Sequence, residues 1–241
     1  MIVLALFLQA ATPGPAQSCV DQVAVDPAKA AETAAAWRQR GGGALARQCA
    51  ALAYAAQDLW PQAATAFEQA ARETVKGEDA ATAGLWVQAG NARLAGGEAA
   101  AAIADFDRAL VAGLLTGPAK GEIRLDRARA NVMAGDPNAA RTDLDEALKL
   151  VPEDPLAWLL SASLARRMDQ LERAQTDITQ AASRSPDDAA VALEAGRIAL
   201  ASGAPGAARI AWEGAIRTQP ASESARVAKA ELDRLGAPAQ R

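Results

Sequence analysis

The stretch Gly135–Asp154, GDPNAARTDLDEALKLVPED, returns in altered form 34 residues later as Asp169–Asp188, DQLERAQTDITQAASRSPDD. A fixed period of this length constrains the fold more than any other feature of the chain. Each copy carries a small residue, a large apolar one four places on, and an alanine three places after that. The small residues are Ala63, Ala102, Ala140, Ala174 and Ala208. The large ones are Phe67, Phe106, Leu144, Ile178 and Trp212, and the closing alanines are Ala70, Ala109, Ala147, Ala181 and Ala215. The last three groups are spaced 34 apart and end on Pro152, Pro186 and Pro220, whereas the first two gaps are 39 and 38. Extra residues near Glu78–Thr82 and Gly117–Lys120 fit longer loops there. Spacings of three and four are helical spacings. The alanine-rich composition, with 4% aromatics, favours closely packed helices over an α/β core.

Upstream of each group a second helical pattern carries Trp86 or Trp158, Gly90 or Gly196, and Tyr54 in the first unit. The whole resembles the tetratricopeptide repeat, W-x₂-L-G-x₂-Y…A-x₃-F…P over about 34 residues. The resemblance covers roughly Ala44 to Pro220. It implies an all-α fold: a right-handed superhelical solenoid of five helical hairpins with terminal capping helices. The units expected are 44–77, 83–116, 121–154, 155–188 and 189–222. Small residues at Ala51, Gly90, Ala128, Ala162 and Gly196 let the two helices of a hairpin approach, and the large residue fills space between neighbouring units. Proline ends each second helix because it lacks the backbone N–H. Gly97, Gly135 and Gly203 fall in the intra-hairpin turn, where positive φ is needed. A lone hairpin cannot bury its apolar face, so units stack.

The flanks complete this plan. Residues 1–16 open with the apolar run Ile2–Leu8 and read as a signal peptide cleaved after Ala16 or Ala10, although no positive n-region precedes the run. The run is too short to span a bilayer. Export to a bacterial periplasm is the leading expectation and a cytoplasmic location the alternative. Residues 17–43 hold a capping helix, Pro27–Arg40, that is either a cap or the second helix of a degenerate unit. Glu223–Leu235 reads as a solvating helix, with a tail from Gly236. The two cysteines, Cys19 and Cys49, form a disulfide if the chain is exported and remain separate buried thiols if it is not.

The sequence argues against catalysis. It has no histidine, which removes Ser-His-Asp triads, Cys-His dyads and His-dependent zinc sites. No phosphate-binding loop or G-x-S-x-G is found. The carboxylate pairs Asp105/Asp107, Asp143/Asp145 and Asp187/Asp188 read as solvated. Asp105, Asp143 and Asp177 share one repeat position and form a column suited to ion pairing, not to a metal. Arg124 and Arg127 stand where the family prefers apolar residues and need carboxylate partners, Asp105 or Asp143. No cofactor and no metal are expected. A net charge of −4 with interspersed signs speaks against nucleic acid.

The resemblance places partner binding in a concave groove lined by first helices. One groove row is Leu52, Asn91, Arg129, Ser163 and Arg197. Further groove positions include Gln48, Val87, Gln88, Leu125, Asp126, Val132, Leu159, Arg166, Leu193 and Leu200. Asn91, Arg129, Arg166 and Arg197 supply donors, and arginine can clasp a carboxylate through two parallel bonds. The expected partner is an extended peptide with acidic side chains or a free C-terminal carboxylate. The expected role is an interaction scaffold, with an assembly factor for an envelope complex as the alternative. The sequence leaves the oligomeric state open.

Overall fold

The computed structural model describes residues 14–74, 80–112 and 115–236. All regular structure among these residues is helical. The chain divides into two compact units, Met1–Leu114 and Leu115–Arg241. In the first lie α1 (Pro15–Val25), α2 (Pro27–Gln39), α3 (Gly43–Ala55), α4 (Trp60–Glu73), α5 (Ala80–Ala95) and α6 (Ala99–Val111). In the second lie α7 (Pro118–Ala134), α8 (Pro137–Leu150), α9 (Pro155–Arg167), α10 (Leu171–Arg184), α11 (Ala189–Ala201), α12 (Pro205–Thr218) and α13 (Glu223–Gly236).

Each unit is a stack of three hairpins. In the first unit α1 packs on α2, α3 on α4 and α5 on α6, with α2 against α3 and α4 against α5. In the second the hairpins are α7–α8, α9–α10 and α11–α12, with α8 against α9, α10 against α11, and α13 closing on α11 and α12. The all-α hairpin architecture expected from the period is therefore present.

Local chemistry sets the element ends. Asp26, Asp136, Asp154 and Asp188 cap α2, α8, α9 and α11, each carboxylate accepting a backbone N–H of the first turn. Proline follows the cap in α2, α8 and α9, where its missing N–H leaves no bond unmade. The intra-hairpin turn needs a left-handed residue: Gly97, Gly135 and Gly203 have φ of +79°, +82° and +76°. Asp58 (+57°) and Asp169 (+59°) take that repeat position in the two hairpins that lack glycine there. The short polar side chain of aspartate tolerates this conformation, a substitution the glycine pattern alone does not reveal.

The hairpin interior is an alanine seam closed by one large residue. Phe106 lies under Gly90, where an added Cβ would fall 2.7 Å from the ring, and Trp212 lies under Gly196. The large residue thus first packs beneath the small residue of its own hairpin. It then reaches onward: Leu144 joins one cluster with Ala157 and Leu164 of α9, and Ile178 joins another with Val191 and Ile198 of α11. Leu144 and Ile178 thus fill space between neighbouring units as expected, and the packing of Phe106 and Trp212 beneath the small residue of their own hairpin is an addition to it.

The flanks depart from expectation in three places. The segment before α2 holds a further short helix, α1, which buries only Cys19. α1 packs on α2, which accords with the second of the two readings of Pro27–Arg40, the second helix of a degenerate unit; α2 ends at Gln39. Residues 118–120, expected as loop, are the first turn of α7. Likewise Thr82 is helical in α5, while 75–79 lie outside the described residues. The leader 1–13 and the tail 237–241 also lie outside them; a cut after Ala16 would fall within the first turn of α1.

Candidate functional site

The predicted groove residues come from first helices in both units. In the second unit they stand on α7, α9 and α11, of which α9 and α11 lie side by side. The structure gives most of their charges an internal partner. Arg166 donates to Glu194 at 2.6 Å, and Arg197 approaches the same carboxylate at 3.7 Å and Glu231 of α13 at 3.6 Å. Glu194 is buried between them, which is tolerable because two guanidinium groups replace its water. Arg129 is the most available, 52% exposed at its side chain and held by Asp126 at 3.1 Å. Ser163 is half-buried. Apolar residues left exposed on these same helices are Met133, Leu156 and Leu200. In the first unit Asn91 is exposed on α5 and Gln88 is half-buried beside it. The sequence reading found the arginines but missed Glu194 and Glu231, which neutralise them.

The aspartates of the second helices behave differently from the solvated pairs expected. Asp105, Asp143 and Asp177 are 1%, 2% and 4% exposed. The reason is polar complementarity across each hairpin. Asp143 accepts from Arg127 Nε at 2.9 Å, Arg124 Nη1 at 3.1 Å and Asn131 Nδ2 at 3.0 Å. It is the partner that the two misplaced arginines required. Asp177 accepts from the Ser161 hydroxyl and from Arg173 Nε at 3.3 Å. Arg141, buried on α8, donates to Ser161 Oγ at 2.8 Å and contacts Asp145, which also receives Arg173. Burial pulls the Arg141 guanidinium below its usual range. No metal-ligating cluster occurs among the described residues.

Asp105 is the exception in this column. It pairs with Arg108 on its own helix at 2.6 Å, and its other oxygen is buried with no hydrogen-bond partner among the described residues. Burial, with the Glu68 carboxylate adding to it, pushes Asp105 up to about 6. Around it, Arg93 pairs with Glu68 at 2.8 Å and Glu98 at 2.5 Å, and Trp86 lies between Arg72 and Arg108, 5.5 and 4.8 Å from the ring centre.

At the amino-terminal end α1 lies against α3, the Cys19 and Cys49 sulfurs at bonding distance and their Cα atoms 5.9 Å apart. Both side chains are buried with Ala34 against Val23 and Trp37.

Stacked two-helix units with a small-residue seam, a turn glycine and a helix-ending proline define a helical-hairpin repeat protein. Two tetratricopeptide repeat family models match it, over residues 121–164 and 159–223. Residues 121–223 therefore carry tetratricopeptide repeats. No curated protein sequence matches it. Solved structures share the fold. PilW, a widely conserved type IV pilus biogenesis factor, aligns at 22% identity over 88% of this chain and 95% of that one, with a TM-score of 0.71. PilF of Pseudomonas aeruginosa aligns at 15% identity over 90% and 100%, TM-score 0.62. YrrB, a tetratricopeptide repeat protein with an unusual peptide-binding site, aligns at 20% identity over 81% and 96%, TM-score 0.57. No helix among the described residues is long and apolar enough to cross a membrane.

Proposed function

We propose that the protein is a non-enzymatic interaction scaffold that holds an extended peptide or partner helix on the first-helix face of its second unit. What supports this reading is the exposure of side chains on the first helices α7, α9 and α11. Arg129 is largely exposed on α7, and the three helices also carry Leu156, Leu200 and Met133, apolar groups that the fold leaves uncovered. Exposed leucine and methionine next to arginine is a surface suited to an amphipathic segment. A carboxylate on the partner reaches Arg129 by displacing only a surface pair, whereas it must compete with Glu194 for Arg166 and Arg197. Arg129 is therefore the principal acidic contact, with Arg197 second. Asn91 and Gln88 would extend the same binding mode on the first unit.

The test is capture of the partner from the native host, followed by affinity measurement with Arg129→Ala/Arg197→Ala. A loss of about tenfold or more is expected from removing two charge-assisted contacts. Unchanged affinity would reject the surface. A second reading, favoured by the fold shared with PilW, is an assembly factor for an envelope complex. It rests on export of the chain and on the Cys19–Cys49 bridge. Sequencing the mature amino terminus and titrating thiols under denaturing conditions test both; an uncut chain with two free thiols speaks for the cytoplasm.

A further inference from the structure

The first unit holds a crevice on the side of α3 turned away from the groove positions Gln48 and Leu52. It opens between α2 and α4 with α3 as its floor, and its volume is about 160 Å³. The walls are methyl groups: Ala31 and Ala35 of α2, Ala50 of α3 and Ala66 of α4. Tyr54 and Gln69 close one end and continue into a shallower depression toward Pro61.

Two other hairpins carry an aromatic side chain at this place in the repeat. Four residues before the small residue of the first helix, α5 carries Trp86 and α9 carries Trp158. Each indole carries a guanidinium over its ring: Arg72 of α4 and Arg108 of α6 on Trp86, and Arg184 of α10 at 5.4 Å on Trp158. In α3 that position is Arg47, whose head turns aside to Glu73 at 2.7 Å and Gln69 at 2.5 Å. The aromatic place is left open. At its rim Arg38 has no ion-pair partner among the described residues, and no carboxylate lines the crevice. An apolar cavity of about 150 Å³ accepts a benzene-sized ring, and a free guanidinium beside it complements a carboxylate.

We propose that this crevice receives a phenyl-sized aromatic side chain from an acidic segment of a partner protein. The ring sits on Ala50 and Ala66, and the neighbouring carboxylate sits on Arg38. The surface is distinct from the first-helix face of the second unit, so the two proposals stand or fall separately.

The test is methyl NMR of the full chain with labelled alanine, titrated with 3-phenylpropionate and with its neutral amide. Both are expected to shift the Ala50 and Ala66 methyls saturably, the amide binding about two- to fivefold more weakly, the range of one exposed charge pair. Ala66→Leu fills the crevice and should abolish the shifts, with second-unit methyls reporting that the fold is kept. Arg38→Gln, on the surface, should bring the acid down to the affinity of the amide. The proposal is overturned by absence of saturable shifts at probe concentrations on the order of 10 mM. It is equally overturned if acid and amide bind alike in the unaltered chain, or if the difference between them survives Arg38→Gln. Shifts of the same methyls with protein concentration alone would instead assign the crevice to a second copy of the chain.

Discussion

The two units are built from the same hairpin yet are held together by different chemistry. In the second, Asp143 and Asp177 are buried with arginine, asparagine and serine partners, and the 34-residue period is kept from Ala140 through Ala208. The two family-model matches fall wholly within that unit. In the first, Ala63 and Ala102 are 39 residues apart, α2 and α3 meet through alanines that leave a crevice, and α1 lies beside α3 at Cys19 and Cys49. A strict period lets every hairpin reuse one interface, and polar networks can be completed from fixed positions. Where the period lapses, the hairpins are packed by other means: the Cys19–Cys49 approach of α1 to α3, and an indole flanked by two guanidinium groups.

The largest effect expected from this contrast is in the second unit. Asp143→Ala removes the buried carboxylate on which Arg124, Arg127 and Asn131 converge. A loss of about 3–5 kcal/mol is expected, as for breaking one side of a buried ion pair. Urea unfolding followed by amide exchange should place the damage in α7–α10. A loss below about 1 kcal/mol would show that water solvates those arginines and that the network is ornamental to stability.

Next in size is the Cys19–Cys49 pair of the first unit. Closed as a bridge it would span a loop of about 30 residues, and Cys19→Ser/Cys49→Ser is then expected to cost about 3–4 kcal/mol of chain entropy. Exchange should accelerate in α1–α4 and leave α9–α12 unchanged. Equal acceleration in both units would erase the distinction drawn between them.

The third effect is smaller and depends on pH. Folded Asp105 holds its proton to about pH 6, whereas an unfolded aspartate holds it only to about pH 4. Between those values the folded state binds more protons, so this group makes stability fall as pH rises. Asp105→Asn should remove that slope and raise stability at pH 7 by about 2–3 kcal/mol, with little change at pH 4. A variant whose stability tracks that of the parent from pH 4 to 7 would mean that Arg108 compensates the charge fully. The contrast with Asp143, whose loss destabilises, would then disappear.

Sequence reading reached the helical hairpins because their determinants are local. Glycine at φ near +80°, proline after the last turn and aspartate at the cap act through the backbone of their own few residues. It reached the need of Arg124 and Arg127 for a carboxylate, since charge burial is costly wherever it occurs. It did not reach α1, which packs on α2 and α3 with little apolar pattern of its own, nor Asp58 and Asp169 in the turn. Of the candidate groove it named Arg129, Ser163, Arg166 and Arg197, but the freedom of Arg166 and Arg197 to bind depends on Glu194 and Glu231, supplied by α11 and α13.

Sequence alone therefore determined the repeat unit: where helices start, turn and stop, and which residues are small because another helix must come close. Only the tertiary structure decided which charges meet, which aspartates are buried and where the alanine walls enclose an empty place. The division is physical. Backbone preference and spacing act within one hairpin, whereas the fate of a guanidinium or a cavity is set by what the next hairpin brings to within a few ångströms of it.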